Sequence, residues 1–122
     1  MKKKLRLLLC ILILSAFSLP AANIYWVSLH ASDETASANA TNAGFTNAPD
    51  AGYTRLLASK GHTVTRIISS GTPDTATLNT ADLVIVSRSV PSGHYQNEPS
   101  PADWNGITAP MIITGGYITS LG

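Results

Sequence analysis

The chain has 122 residues, 44% of them hydrophobic and 12% charged, with a formal net charge of +1. That length supports one small domain with a single core. The basic balance is local: beyond residue 22, four basic residues (Arg55, Lys60, Arg66, Arg88) face seven acidic ones, a net charge of about −3 with no basic patch for nucleic acid.

Residues 1–22 have the three parts of a secretory signal peptide. Lys2, Lys3, Lys4 and Arg6 make a basic start. Leu5 and residues 7–14 make an apolar block too short to span a bilayer comfortably. Ser15, Ala16, Ser18, Pro20, Ala21 and Ala22 follow as small and turn residues. Cleavage near Ala21 or Ala22 is expected, with an uncleaved membrane anchor as the alternative. The mature chain, residues 23–122, would then be secreted, periplasmic or in the cell envelope, and would meet a membrane only through this segment before cleavage. The single cysteine, Cys10, lies in the apolar block, so the mature chain has neither disulfide nor thiol nucleophile.

Residues 23–29 read as a first strand, apolar at nearly every position. Residues 30–48, rich in Ala, Asn, Ser and Thr, have no periodicity and predict a long loop. Pro49 and Asp50 open a helix that runs to about Lys60. Tyr53, Leu56 and Leu57 form its predicted apolar face, and Gly61 supplies the left-handed residue that stops it. Residues 62–68 alternate and predict a half-exposed edge strand. After turn residues 69–73, Asp74 caps one or two helical turns carrying Leu78.

Residues 83–86 form a third strand, Leu83-Val84-Ile85-Val86, apolar without alternation and therefore covered on both faces. Prolines break the next stretch, where Ser100 and Pro101 start a short helix bearing Trp104. Pro110 leads into a fourth strand, residues 111–114, which meets Gly115 and Gly116.

Strands alternating with helices define an α/β domain, a flavodoxin-like three-layer sandwich on a parallel sheet. Right-handed crossovers give the strand order 2-1-3-4. Only residues 117–122 follow the fourth strand. Folds of this class carry five or more strands, so the expectation is a domain incomplete at its C-terminus, from a truncated frame or a longer secreted protein.

The pattern resembles the class I glutamine-amidotransferase-like superfamily, and within it the trehalose-utilisation type found in exported bacterial proteins of unassigned function. The matching pieces are residues 24–28, Gly44-Phe45-Thr46, residues 56–64, residues 81–89 and Trp104-Asn105-Gly106-Ile107 before Pro110. Together they span most of the mature chain. The resemblance implies an α/β domain that sits beside carbohydrate-binding or adhesive modules of a longer chain. Active members carry a cysteine on a strained turn, followed later by His and Glu. Here the turn after the fourth strand reads Thr114-Gly115-Gly116-Tyr117, which rules out glutamine hydrolysis by that route.

In a parallel sheet the loops after the strands share one rim. That rim gathers Ser28, His30, Ser87, Arg88, Ser89, Thr114, Gly115 and Gly116. Arg88 could fork onto a carboxylate, phosphate or sugar oxygen, or form a salt bridge with Asp33, Glu34 or Glu98. His30 and His94 are expected to face each other across the rim, where Asp33 or Glu98 would complete an acid–base pair. No His spacing suits a metal, and His62 is expected at the surface. Ser87 and Ser89 are nucleophiles only beside a positioned base, and otherwise cap backbone groups.

No Gly-x-Gly-x-x-Gly or phosphate-loop signature is present, so no cofactor is expected. Trp26 reads as core, and Tyr95 and Trp104 as packing or as platforms for a sugar. The leading expectation is a non-catalytic or degenerate amidotransferase-like domain with a structural role or a carbohydrate or small-molecule ligand held by Ser28, Arg88, Thr114, Gly115 and Gly116. The alternatives are a hydrolase-like enzyme on a carbohydrate-related substrate, using His30, Arg88, Ser89 and His94, and a non-functional gene fragment.

Overall fold

The computed structural model describes residues 20–96 and 100–115. Most of the predicted export segment (residues 1–19), Glu98 and Gly116 lie outside the described residues. The elements run β1 (Asn23–Ser28), α1 (Ala38–Asn42), α2 (Ala51–Ser59), β2 (Thr63–Ile68), α3 (Thr75–Leu78), β3 (Leu83–Val86), α4 (Gly93–Gln96), α5 (Ser100–Asn105) and β4 (Met111–Ile113). The four strands form one sheet in the order β2-β1-β3-β4, parallel at every pairing. This is the predicted flavodoxin-like arrangement with helices on both faces.

The two faces follow from the period-2 geometry of strands. One face carries Val27, Val84 and Val86, and buries them with Leu78, Tyr95 and Trp104 from α3, α4 and α5. Tyr95 and Trp104 lie 4.8 Å apart between ring centroids, tilted by 54°, so both pack. The opposite face carries Ile24, Trp26 and Ile85, with Leu57 of α2 packed against them. Because β2 lies on one side of β1 and β3 on the other, right-handed crossovers send α2 to one face and α3 to the other. Gly61 takes φ +92° after α2, and Asp74 caps α3 by accepting the Thr77 N–H at 3.0 Å.

Four expectations are corrected. Residues 30–48 are not featureless: an isolated bridge joins Ser32 to Thr35, and α1 forms a short helix. The stretch after β3 holds a further helix, α4, ahead of the predicted one. The buried face of α2 is Ala51 and Thr54, whereas Tyr53 is 66% and Leu56 55% exposed. The small residues let the helix lie close to the sheet, where Thr54 Oγ1 donates to Asp33 Oδ1 at 2.6 Å. Finally, His62 is half-buried, and its Nδ1 accepts the Ala22 N–H at 3.2 Å, which fixes the start of β1.

Two truncations separate the predicted helix face from the observed core. Leu78→Ala should cost about 2–5 kcal/mol, since Leu78 is 1% exposed. Leu56→Ala should cost less than about 1 kcal/mol. Denaturant midpoints of the two variants measure both.

Candidate functional site

The α2 face of the sheet changes character along its length. Val64, Ile24, Leu83 and Ile85 form its apolar part. Toward the carboxyl ends, the same side-chain phase places Arg66 beside Trp26, then Ser28 on β1 and Ser87 just after β3. Ser28 is 0% and Ser87 3% exposed. Buried hydroxyls and a buried guanidinium need partners, and Asp50 supplies them.

Asp50 precedes α2 but makes no side-chain cap for it. Its Oδ1 accepts from Arg66 Nη2 at 2.8 Å. Its Oδ2 accepts from Trp26 Nε1 at 2.9 Å, Ser28 Oγ at 3.1 Å and Ser87 Oγ at 2.7 Å. Arg66 in turn reaches Asp33 Oδ1 through Nε at 2.8 Å and Ser28 Oγ through Nη1 at 3.3 Å. Only 8% of the Arg66 side chain is exposed. Burial opposes ionisation of Asp50, but the bonds from Arg66, Ser87 and Trp26 and the Arg66 charge outweigh it, holding the carboxyl at about 2. Asp33 is likewise held below its ordinary value: burial opposes this, and the bonds from Thr54 and Arg66 prevail.

Ser89 extends the cluster between the central strands. Its Oγ lies 3.1 Å from Ser28 Oγ, donates to Ser87 Oγ at 3.1 Å and accepts the Leu29 N–H at 3.1 Å. The ends of β1 and β3 are thereby stitched together, and a cleft of about 430 Å³ opens above them. Leu29 and His30 border it on one side, Ser87, Arg88 and Ser89 on the other. Asn39 and Ala40 of α1 form an outer wall, and Pro49, Asp50 and Tyr53 a third. A second arm of about 320 Å³ runs toward β4, sharing Asp50, Tyr53, Ser87 and Arg88 and adding Trp26 and Thr114. Tyr53 stacks on Trp26 at 6.1 Å between centroids, with 16° between the planes.

The rim therefore unites most of the residues expected there. Ser87, Ser89, His30, Arg88 and Thr114 border the two arms, and Ser28 lies buried beneath them, hydrogen-bonded to Asp50. Gly115 runs against Arg88, whose Cα would lie 3.6 Å from a Cβ placed on that glycine. Thr114 donates its hydroxyl to Val86 O at 2.9 Å, a structural bond.

Two expected pairings are not made among the described residues, which leave out Glu98. Arg88 is exposed and has no ion pair among the described residues, because Arg66 and Arg55 have taken Asp33, and Arg55 also lies 3.5 Å from Glu34. His30 and His94 do not face each other. His94 sits on α4, on the other face of the sheet, with its Nδ1 2.7 Å from Ser69 Oγ after β2. His30 is 2% exposed, and its Nδ1 accepts the Ser37 N–H at 3.0 Å. In the neutral ring that bond puts the remaining proton on Nε2. Among the described residues Tyr95 Oη is the one fully buried side-chain polar atom without a partner. His30 Nε2 has no hydrogen bond there either, and His30 lines the cleft.

Asp50, Arg66 and Tyr53 were not foreseen as site residues. For Arg66 a signal existed: it alternates in phase with the inward Val64, and an inward arginine demands a carboxylate. Among the described residues no three His, Cys, Asp or Glu side chains gather to hold a metal ion. Comparison with protein-family models, with curated proteins and with solved structures finds no match for the chain.

Asp50→Asn should destabilise the fold by about 3–5 kcal/mol, because it leaves the buried Arg66 with half of its counter-charge. The pH dependence has a definite sign. The folded value of Asp50 lies below its ordinary 3.8, so its contribution is complete above about pH 4 and disappears as pH falls through about 2. Unfolding free energy measured from pH 6 to pH 2 should fall for the native protein, and fall less steeply for Asp50→Asn.

Proposed function

We propose that this chain is an exported, non-catalytic α/β domain of amidotransferase-like type that binds a small molecule, a carbohydrate among the candidates, between the ends of β1 and β3. On this reading it serves a larger envelope or extracellular protein as a binding or structural part. The observation that carries the reading is a cleft of about 430 Å³ at the point where the connections leave the sheet toward opposite faces. That position is where open parallel sheets take ligands, and the volume falls within the roughly 300–1,000 Å³ of small-ligand clefts.

The geometry disfavours the hydrolase alternative. A serine nucleophile needs a base in hydrogen-bond reach. Ser89 instead passes its proton toward Ser87, which donates to Asp50, a carboxylate held at about 2. Such a group is a poor proton acceptor near neutral pH. His30 cannot substitute, since its one acceptor nitrogen is occupied by Ser37.

Thermal-shift screening of the full-length protein against saccharides and small organic acids tests the reading. At least one compound should raise the melting temperature, and Tyr53→Ala, at an exposed position, should remove the shift. Chromogenic esters and glycosides should remain intact. Turnover that disappears in Ser89→Ala would overturn the non-catalytic assignment.

A further inference from the structure

We infer that the cleft selects an organic acid, a carboxylate or phosphate head on a flat or apolar body, with Arg88 and His30 as the head's donors. This deepens the binding role proposed above and rests on it. The bonds the cleft residues already make decide what they have left to offer a ligand. Asp50 is the acidic side chain on its wall, and all four of its hydrogen bonds come from the protein itself. The hydroxyl of Ser89 is engaged at both its donor and acceptor sides. A saccharide must place many hydroxyl protons on acceptors; the wall has committed its strongest acceptor elsewhere, and leaves the neutral side chains of Ser37 and Asn39 without a hydrogen bond among the described residues.

Donors remain. Arg88 is exposed on the cleft without an ion pair among the described residues, and a guanidinium is a fork suited to two acceptor oxygens. His30 is the independent second observation. It is 98% buried by its 2% exposure, is pinned through Nδ1 by Ser37, and keeps an Nε2–H with no protein partner among the described residues. A buried donor left open to a cleft in this way suits an acceptor-rich ligand. The charges agree: of the two charged side chains on the cleft wall, Asp50 is ion-paired to Arg66, whereas Arg88 has no ion pair among the described residues. Tyr53, stacked on Trp26 through one side and bordering both arms, leaves a ring surface for the ligand's body.

Calorimetric titration of the full-length protein with benzoate, phenyl phosphate, benzamide and trehalose provides the test. Benzoate or phenyl phosphate should bind at least about 10-fold more tightly than neutral benzamide, and the stronger of the two acids identifies the head. Arg88→Gln, at an exposed position, should weaken the acids about 10–100-fold, the range of one charge-assisted contact, and leave benzamide unchanged. Equal binding of benzamide and benzoate, or acid binding indifferent to Arg88→Gln, would overturn the inference. Trehalose binding that Tyr53→Ala abolishes, with both acids silent, would overturn it while leaving the binding role intact. If none of the four probes binds in a Tyr53-dependent manner, both fail.

Discussion

The pair formed by Asp50 and Arg66 governs the rest of this structure. Burying a guanidinium at the edge of a sheet is costly unless each of its donors finds an acceptor. Here Asp50, Asp33, Ser28 and Thr54 meet that need together. These acceptors come from the end of β1, the loop after it and the start of α2, so satisfying Arg66 fixes the position of each. Asp33 anchors the loop that follows β1, Asp50 sets where α2 begins, and Thr54 decides which side of α2 faces the sheet. Asp50 thereby gives up the N-cap role its position before α2 would otherwise suit. Its carboxylate is bonded instead to a buried arginine, an indole and two hydroxyls.

The parts of the fold legible in the sequence are those written in local pattern. The run Leu83-Val84-Ile85-Val86 has no polar phase, so it had to be covered on both faces, and it lies beside β1 in the middle of the sheet. The alternation of residues 62–68 marked an edge strand, and β2 is one. Crossover handedness then fixed the order of the remaining strands. What failed was written between distant residues. Of Tyr53, Leu56 and Leu57, which share a helical spacing, only Leu57 packs against the sheet; close approach favoured Ala51 and Thr54 over the other two, and their small size is something no apolar count rewards. Arg66 looked like one polar residue of an edge strand, and only its partners 16 and 33 positions away reveal why it points inward. His30 and His94 were joined by topology alone, which names a rim but not the face of the sheet from which each side chain arrives.

The bonds that assemble the rim also limit its chemistry. Three serines in mutual contact beside a carboxylate suggest a nucleophile and its base. Each hydroxyl, however, is spent within the cluster: Ser28 and Ser87 on Asp50, Ser89 on Ser87. A hydroxyl is activated by a base with proton affinity to spare, and a carboxylate stabilised by four donors has little. The same bonds that let these polar groups be buried occupy the lone pairs and protons that a nucleophile and its base would use.

Topology explains why a cleft persists above so well-bonded a base. The chain leaves β1 toward the α2 face and leaves β3 toward the face of α4 and α5, so neither connection crosses the gap between the two strand ends. Ser28, Ser87 and Ser89 close that gap from below with hydrogen bonds, but nothing in the strand order requires a side chain to fill it from above. Arg88 and His30 flank the opening because each follows its strand within two residues of the last inward-facing serine. The separation of roles is therefore positional. Residues in phase with the sheet, Arg66, Ser28 and Ser87, are drawn into the buried cluster. Arg88 and His30, just past the strand ends, carry their side chains outside it, and there a side chain can keep a donor for something other than the protein.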